Sequence, residues 1–166
     1  MIWLIFKLWA GKYSMNRVDS RILALLQEDS TRSIAELAEL AVVSSSACHR
    51  RIKALEAQGV IAGYSARLDP YALGLKLQAY VEITLTSQSE EVMERFEQAA
   101  AGFDDILECR LMSGAADYLL RVAARDLEHF DQIHRACLSR LPGVSSMRSS
   151  FVIRTTKGWS GYPVRG

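Results

Sequence analysis

The residues best suited to chemistry in this chain are Ser44-Ser45-Ser46 and the basic run that follows, His49-Arg50-Arg51-Ile52-Lys53. If Ser44 caps a helix, then Ser45, Ser46, His49, Arg50 and Lys53 form one outward stripe, with Cys48, Ile52 and Leu55 on the opposite face. Small hydroxyls at a helix start can approach phosphates and base edges closely. The cations one turn on supply phosphate attraction and paired donors for guanine. This is the chemistry of a helix laid in the major groove of double-stranded DNA. Arg51 sits beside the buried stripe and is expected to be structural. Most isolated basic runs are only solvated helix faces, so the elements that position this one decide its meaning.

No comparable arrangement points to catalysis. His49 belongs to the stripe, while His129 and His134 are five apart, a poor spacing for joint ligation on a helix. No nucleophile sits beside a base, and no glycine-rich phosphate loop is present. No catalytic residue, metal site or cofactor is expected. Cys48, Cys109 and Cys137 are odd in number, form no CxxC pair and fall among apolar periodic positions, the pattern of buried reduced thiols in a cytosolic protein.

Composition narrows the partners. A chain of 166 residues, 49% hydrophobic and 23% charged, reads as soluble and globular, with one ordinary domain or two small ones. Its net charge of +1 gives no global attraction for nucleic acid, so the local distribution matters. Between Asp69 and Leu141 there are 13 acidic and 7 basic residues, whereas the last 25 residues carry Arg148, Arg154, Lys157 and Arg165 and no acid. DNA repels an acidic second half, which leaves contact to the first. The apolar opening Ile2-Trp3-Leu4-Ile5-Phe6 is far short of the ~20 residues that span a bilayer, and no positive charge precedes it. Residues 1–14 read as an extension of little functional weight before a domain that opens at Met15, with a short interfacial anchor as the sharper alternative. A cytoplasmic location without a membrane partner is expected.

Three short helices must carry the basic stripe. Val18, Ile22, Leu25 and Leu26 share one face and predict a helix over about 19–28. Ser33-Ile34-Ala35-Glu36 is a capping box opening a second helix with Ile34, Leu37, Ala38 and Ala41 inward. Val42-Val43 form the turn, and the helix capped by Ser44 ends at Gly59. A helix-turn-helix over about 34–53 results. Residues 60–61 and 64–68 then read as a two-stranded wing, closed by Asp69-Pro70. The domain covers 15–68, and 69–76 form a linker.

The period then changes. Leu77, Ala79, Val81, Ile83 and Leu85 alternate with polar residues as a half-buried strand. Helices are expected over about 89–101 (Val92, Phe96 and Ala99 inward) and 127–141 (Leu127, Phe130, Ile133, Cys137 and Leu141 inward). Further strands are expected over 106–112, 118–123 and 144–155. The order strand, helix, strand, strand, helix, strand is a ferredoxin-like βαββαβ arrangement over 77–157, followed by a tail at 158–166. The fold class is therefore α+β, a winged helix-turn-helix followed by a ferredoxin-like domain. The sheet face left open by the two helices is expected to pack on a second copy as a homodimer.

From Met15 to about Lys157 the chain resembles the Lrp/AsnC (leucine-responsive, or feast/famine) regulators. The likeness rests on Val18-Asp19 with Ile22-Leu23, Ser44 to Cys48, Arg51 to Glu56, Gly59-Val60-Ile61, Gly63-Tyr64 and Leu68-Asp69-Pro70. In the second half it rests on Glu108-Cys109, Ser113-Gly114, Asp117 to Leu120 and Leu141 to Val144. The resemblance implies a DNA-binding transcription regulator that senses an amino acid or related small metabolite. It implies dimerisation through the sheet and further assembly to tetramers or octamers. It places the effector near the dimer–dimer contact, with Ser113, Gly114, Asp117 and Tyr118 lining the pocket and Ser150, Phe151 and Val152 nearby. Asp117 suits the effector's ammonium group and the backbone at Gly114 its carboxylate, while an Asx turn is the structural alternative for Asp117.

The chain departs from the family pattern twice. Val42 stands where the family often has glycine in the turn, and a β-branched residue at positive φ is strained. Ala115 stands where an acid often follows the loop glycine, which points to a less polar ligand or a changed binding mode. Two rivals share this architecture: an enzyme resembling the sirohaem decarboxylases, and a co-regulator that only hetero-oligomerises without binding DNA. The stripe of Ser45, Ser46, Arg50 and Lys53 favours the DNA reading over both.

Overall fold

Asn16 starts the first helix by accepting the backbone N–H groups of Val18 and Asp19 at 3.0 and 2.9 Å. The computed structural model describes residues 15–164; the expectations for residues 1–14 lie outside them. The chain divides into two units. Among the described residues, one comprises 15–66 together with 157–164, and the other runs from Arg67 to Thr156.

In the first unit, α1 (Arg17–Glu28), α2 (Ile34–Ala41) and α3 (Ser45–Ala57) enclose a small core. Ile22, Leu37, Ala38, Ala41, Cys48 and Ile52 are buried in it, with Val18, Leu25, Leu26 and Ile34 packed alongside. The capping box at α2 is closed: Glu36 N donates to Ser33 Oγ at 3.2 Å, and Ser33 N donates to Glu36 Oε2 at 2.7 Å. Val42 ends α2 at φ 58°, ψ 52°. Among the described residues it is the one non-glycine with positive φ. The turn keeps the left-handed geometry that a glycine would adopt freely, and the valine bears the strain.

The two-stranded wing expected over residues 60–68 does not form. The segment carries no strand, and Tyr64 instead donates its hydroxyl to Glu56 Oε1 on α3 at 3.1 Å. Val60-Ile61 is too short to pair stably, and an isolated two-stranded ribbon is marginal without a third strand or a covering helix.

The second unit has the expected order β1 (Leu77–Leu85), α4 (Glu90–Ala101), β2 (Ile106–Leu111), β3 (Tyr118–Ala124), α5 (Leu127–Ala136) and β4 (Val144–Phe151). The sheet order is β2-β3-β1-β4, with every neighbouring pair antiparallel, the ferredoxin-like topology. Ala79, Val81, Ile83, Tyr118, Leu120 and Val122 pack on one face with Phe96, Phe130 and Ile133 of the helices.

Three local expectations are corrected. Leu127 is 63% exposed, because it opens α5 before the helix has turned its apolar stripe inward. The helix stops at Ala136 and passes into a 3₁₀ turn, Leu138–Arg140, which still buries Leu138. Cys109 is exposed, while Cys48 and Cys137 are buried. It lies on β2, an edge strand whose outer side has no neighbour in the sheet.

Candidate functional site

The serine cap and the buried stripe together aim the basic edge of α3. Ser44 Oγ accepts Ala47 N at 3.2 Å and lies 3.2 Å from Ser46 Oγ. Cys48, Ile52 and Leu55 are buried, so helical periodicity turns the remaining face outward. Ser44, Ser45, Ser46, His49, Arg50 and Lys53 are all exposed. The structure brings the six together on one helix surface. Lys53 Nζ lies 2.7 Å from Glu56 Oε2. That ammonium, followed by the Tyr64 hydroxyl, holds Glu56 below its ordinary pKa. Arg50 has no ion pair or hydrogen bond among the described residues.

Arg51 does what its position beside the buried stripe predicts. Its Nη1 lies 2.8 Å from Asp19 Oδ1 on α1, and Asp19 is buried. The pair ties α3 to α1 and holds Arg51 away from the outward stripe.

The residues expected around an effector fall into two groups. Ser113 and Gly114 lie exposed in the turn between β2 and β3, which leads into Asp117 and Tyr118. Tyr118 pairs with Ile83 near one end of β1, whereas Phe151 pairs with Ala79 near the other. Val152 N donates to Gln78 O at 2.9 Å, further in that direction. Four residues of strand separate Ile83 from Ala79, or about 13 Å. One protomer therefore does not bring the groups together.

Asp117 is nearly buried, and both its carboxylate oxygens are engaged. Oδ2 accepts Leu85 N at 2.7 Å and Oδ1 accepts Gln88 Nε2 at 2.6 Å. The bonds tie the start of β3 to the end of β1 and the loop before α4. Tyr118 points into the helix-covered core, stacks on Phe96 with ring centroids 4.6 Å apart, and donates its hydroxyl to Glu97 Oε1 at 2.6 Å. Burial first, then the Glu97 carboxylate, push the Tyr118 hydroxyl pKa well up, so it stays a donor. Beside it, a cleft of about 390 Å³ opens between α4 and β2, lined by Glu97, Ile106, Cys109, Leu111 and Tyr118. Ser150 lies on the open sheet face opposite Tyr80, and Phe151 meets Phe130 edge-on at 5.0 Å.

Gln88 and Glu97 were not legible as site residues. Their partners, Asp117 and Tyr118, lie more than twenty positions away, and no local pattern marks such pairs. Among the described residues no group of His, Cys, Asp and Glu is arranged to hold a metal ion, and no helix is long and apolar enough to cross a membrane.

A helix-turn-helix with an exposed hydroxyl-and-cation edge, joined to a ferredoxin-like domain, defines a two-domain DNA-binding regulator. The model of the AsnC-type helix-turn-helix domain matches residues 15–56, and that of the Lrp/AsnC ligand binding domain matches residues 78–159. The chain belongs to the Lrp/AsnC family of transcriptional regulators. It is 34% identical over 150 residues to the DNA-binding transcriptional activator DecR of Escherichia coli, covering 90% of this chain and 99% of that one. It is 38% identical over 143 residues to the leucine-responsive regulatory protein of Escherichia coli, covering 86% and 87%. Among solved structures, a transcriptional regulator of Neisseria meningitidis in complex with L-methionine superposes with a TM-score of 0.85 at 31% identity, covering 90% of this chain and 97% of that one. An AsnC family regulator of Agrobacterium tumefaciens superposes equally well, with a TM-score of 0.85 at 35% identity and the same coverage.

Proposed function

We propose that this regulator reads duplex DNA with Ser44, Ser45, Ser46, His49, Arg50 and Lys53, and that an amino acid or similar metabolite adjusts its occupancy. The observation that carries this reading is the convergence of all six side chains on the solvent face of α3. Hydroxyls at the helix start face the groove floor, and the cations beyond them meet phosphates and purine edges.

The protein works in the cytoplasm as a homodimer that assembles further to a tetramer or octamer. Two recognition helices then meet adjacent half-sites, and ligand shifts the association equilibrium. Effector contacts fall to Ser113, Gly114, Asp117 and Tyr118 and to Ser150, Phe151 and Val152. A site using both groups takes residues from more than one copy, because they lie at opposite ends of β1. The complex of the Neisseria relative with L-methionine supports an amino-acid-sized ligand of low polarity, in keeping with Ala115 in the turn.

The test is fluorescence anisotropy on the protein's own upstream DNA across a salt series, with and without each amino acid. Arg50→Ala weakens binding and lowers the salt slope by about one phosphate contact. Asp117→Ala abolishes the ligand response and spares DNA binding. Unchanged affinity in the first variant removes the assigned interface, and an unchanged response in the second places the effector elsewhere.

A further inference from the structure

The last residues of the chain do not stay with the domain they follow. Residues 157–164 belong to the DNA-binding unit, so the chain passes between the units twice, after Ala66 and again after Thr156. The return is anchored on one side chain of α1. Gln27 Nε2 donates to Tyr162 O at 3.0 Å, and Tyr162 N donates to Gln27 Oε1 at 2.7 Å. The side-chain amide thus pairs with the backbone of Tyr162 as a neighbouring strand residue would.

Gly161 makes this approach possible. It sits at φ +100°, and a Cβ there would meet Gln27 Oε1 at 2.5 Å and Cδ at 2.9 Å. Trp159 packs edge-on against Tyr162 with ring centroids 4.8 Å apart, which folds the segment on itself at the anchor. The residues that make it, Gly161 and Tyr162, lie beyond the region matched by the ligand-binding family model, which ends at 159. Gln27 is exposed on α1.

We infer that residues 157–164 form a strap, anchored by Gln27, that couples the last strand of the ferredoxin-like domain to α1 of the DNA-binding unit. Residues 152–156 connect Phe151, the last residue of β4, to the strap. Both hydrogen bonds between Gln27 and Tyr162 are exposed, and exposed bonds of this kind open and close readily. With the strap docked, each DNA-binding unit is tethered at both ends, and the second recognition helix of a dimer reaches its half-site at higher effective concentration. The DNA consequence rests on the proposed function; the anchor does not.

The experiment compares the full chain with Gln27→Ala and Gly161→Val by hydrogen-exchange mass spectrometry and by anisotropy on the upstream duplex and on a random duplex. Slow exchange at Tyr162 in the native chain becomes about tenfold faster in both variants. Affinity for the upstream duplex falls about fivefold, with the random duplex unaffected. Fast exchange at Tyr162 in the native chain, or slow exchange in both variants, overturns the anchor. Lost protection with unchanged upstream affinity overturns the coupling. A native chain that binds no duplex overturns the proposed function and the coupling together, and slow Tyr162 exchange in that same chain would still uphold the anchor.

Discussion

Arg51 on α3 lies 2.8 Å from the carboxylate of Asp19 on α1, and Asp19 is 2% exposed. The neighbouring Arg50 makes no such bond, although the two residues carry the same charge and are adjacent in sequence. One arginine holds the helix in place and the other is left to face a partner. Truncating Arg51 takes the ion pair from a buried carboxylate, so Arg51→Ala costs about 1–3 kcal/mol of stability in urea denaturation. Arg50→Ala leaves the urea midpoint unchanged. Equal midpoints for the two variants would refute this division of labour.

Val42 carries positive φ while 78% exposed, so it bears backbone strain and gains little from burial. Val42→Gly removes the strain at a smaller cost in unfolded-chain entropy, for a net gain of about 1 kcal/mol. A thermal melt reads this as a rise of several degrees, and a fall would mean that the left-handed turn is not strained.

Glu108 on β2 accepts Arg110 Nε at 2.9 Å and Arg121 Nη1 at 3.0 Å. Arg110 most of all, with Arg121 adding to it, holds its pKa below the ordinary 4.5 against a smaller opposing effect of burial. A depressed carboxylate contributes stability that is complete above 4.5 and disappears as pH falls through its lowered folded value. Exchange protection of β2 amides therefore holds near neutrality and declines on acidification below 4.5. In Glu108→Gln that decline is flattened. The same decline in both chains would assign the acid sensitivity to another group.

Burial pushes the Cys137 thiol up to about 11 and raises Cys48 and Cys109 as well, but of the three only Cys109 is exposed, at the sheet edge. Titration with a disulfide reagent at neutral pH should modify one thiol in the native chain and all three in denaturant. Cys109→Ser removes the native signal. Rapid reaction of two or more thiols in the folded protein would contradict this burial pattern.

The residues that failed to follow the sequence pattern share a cause. Cys109 sits at an apolar period position, yet it lies on an edge strand, and periodicity does not report which strands have neighbours on both sides. Leu127 has the right spacing but belongs to the first turn of its helix, beyond the reach of the core. The wing failed because strand formation depends on pairing, and Val60-Ile61 found none. By contrast, the Ser44 cap, the inward Cys48, Ile52 and Leu55 and the alternation from Leu77 to Leu85 were legible, since each depends on neighbours within a few residues.

The helix-turn-helix, the βαββαβ order and the outward face of α3 can be read from the residues alone. Caps, helical stripes and strand alternation act over less than two turns or one strand. Folding of the whole chain brought Asp117 to Leu85 and Gln88, set Asp117 and Phe151 at opposite ends of β1, and joined Gln27 to Tyr162. Those contacts join positions from 29 to 135 residues apart in the chain, and which distant groups meet is set by the packing of whole elements, which no local pattern encodes.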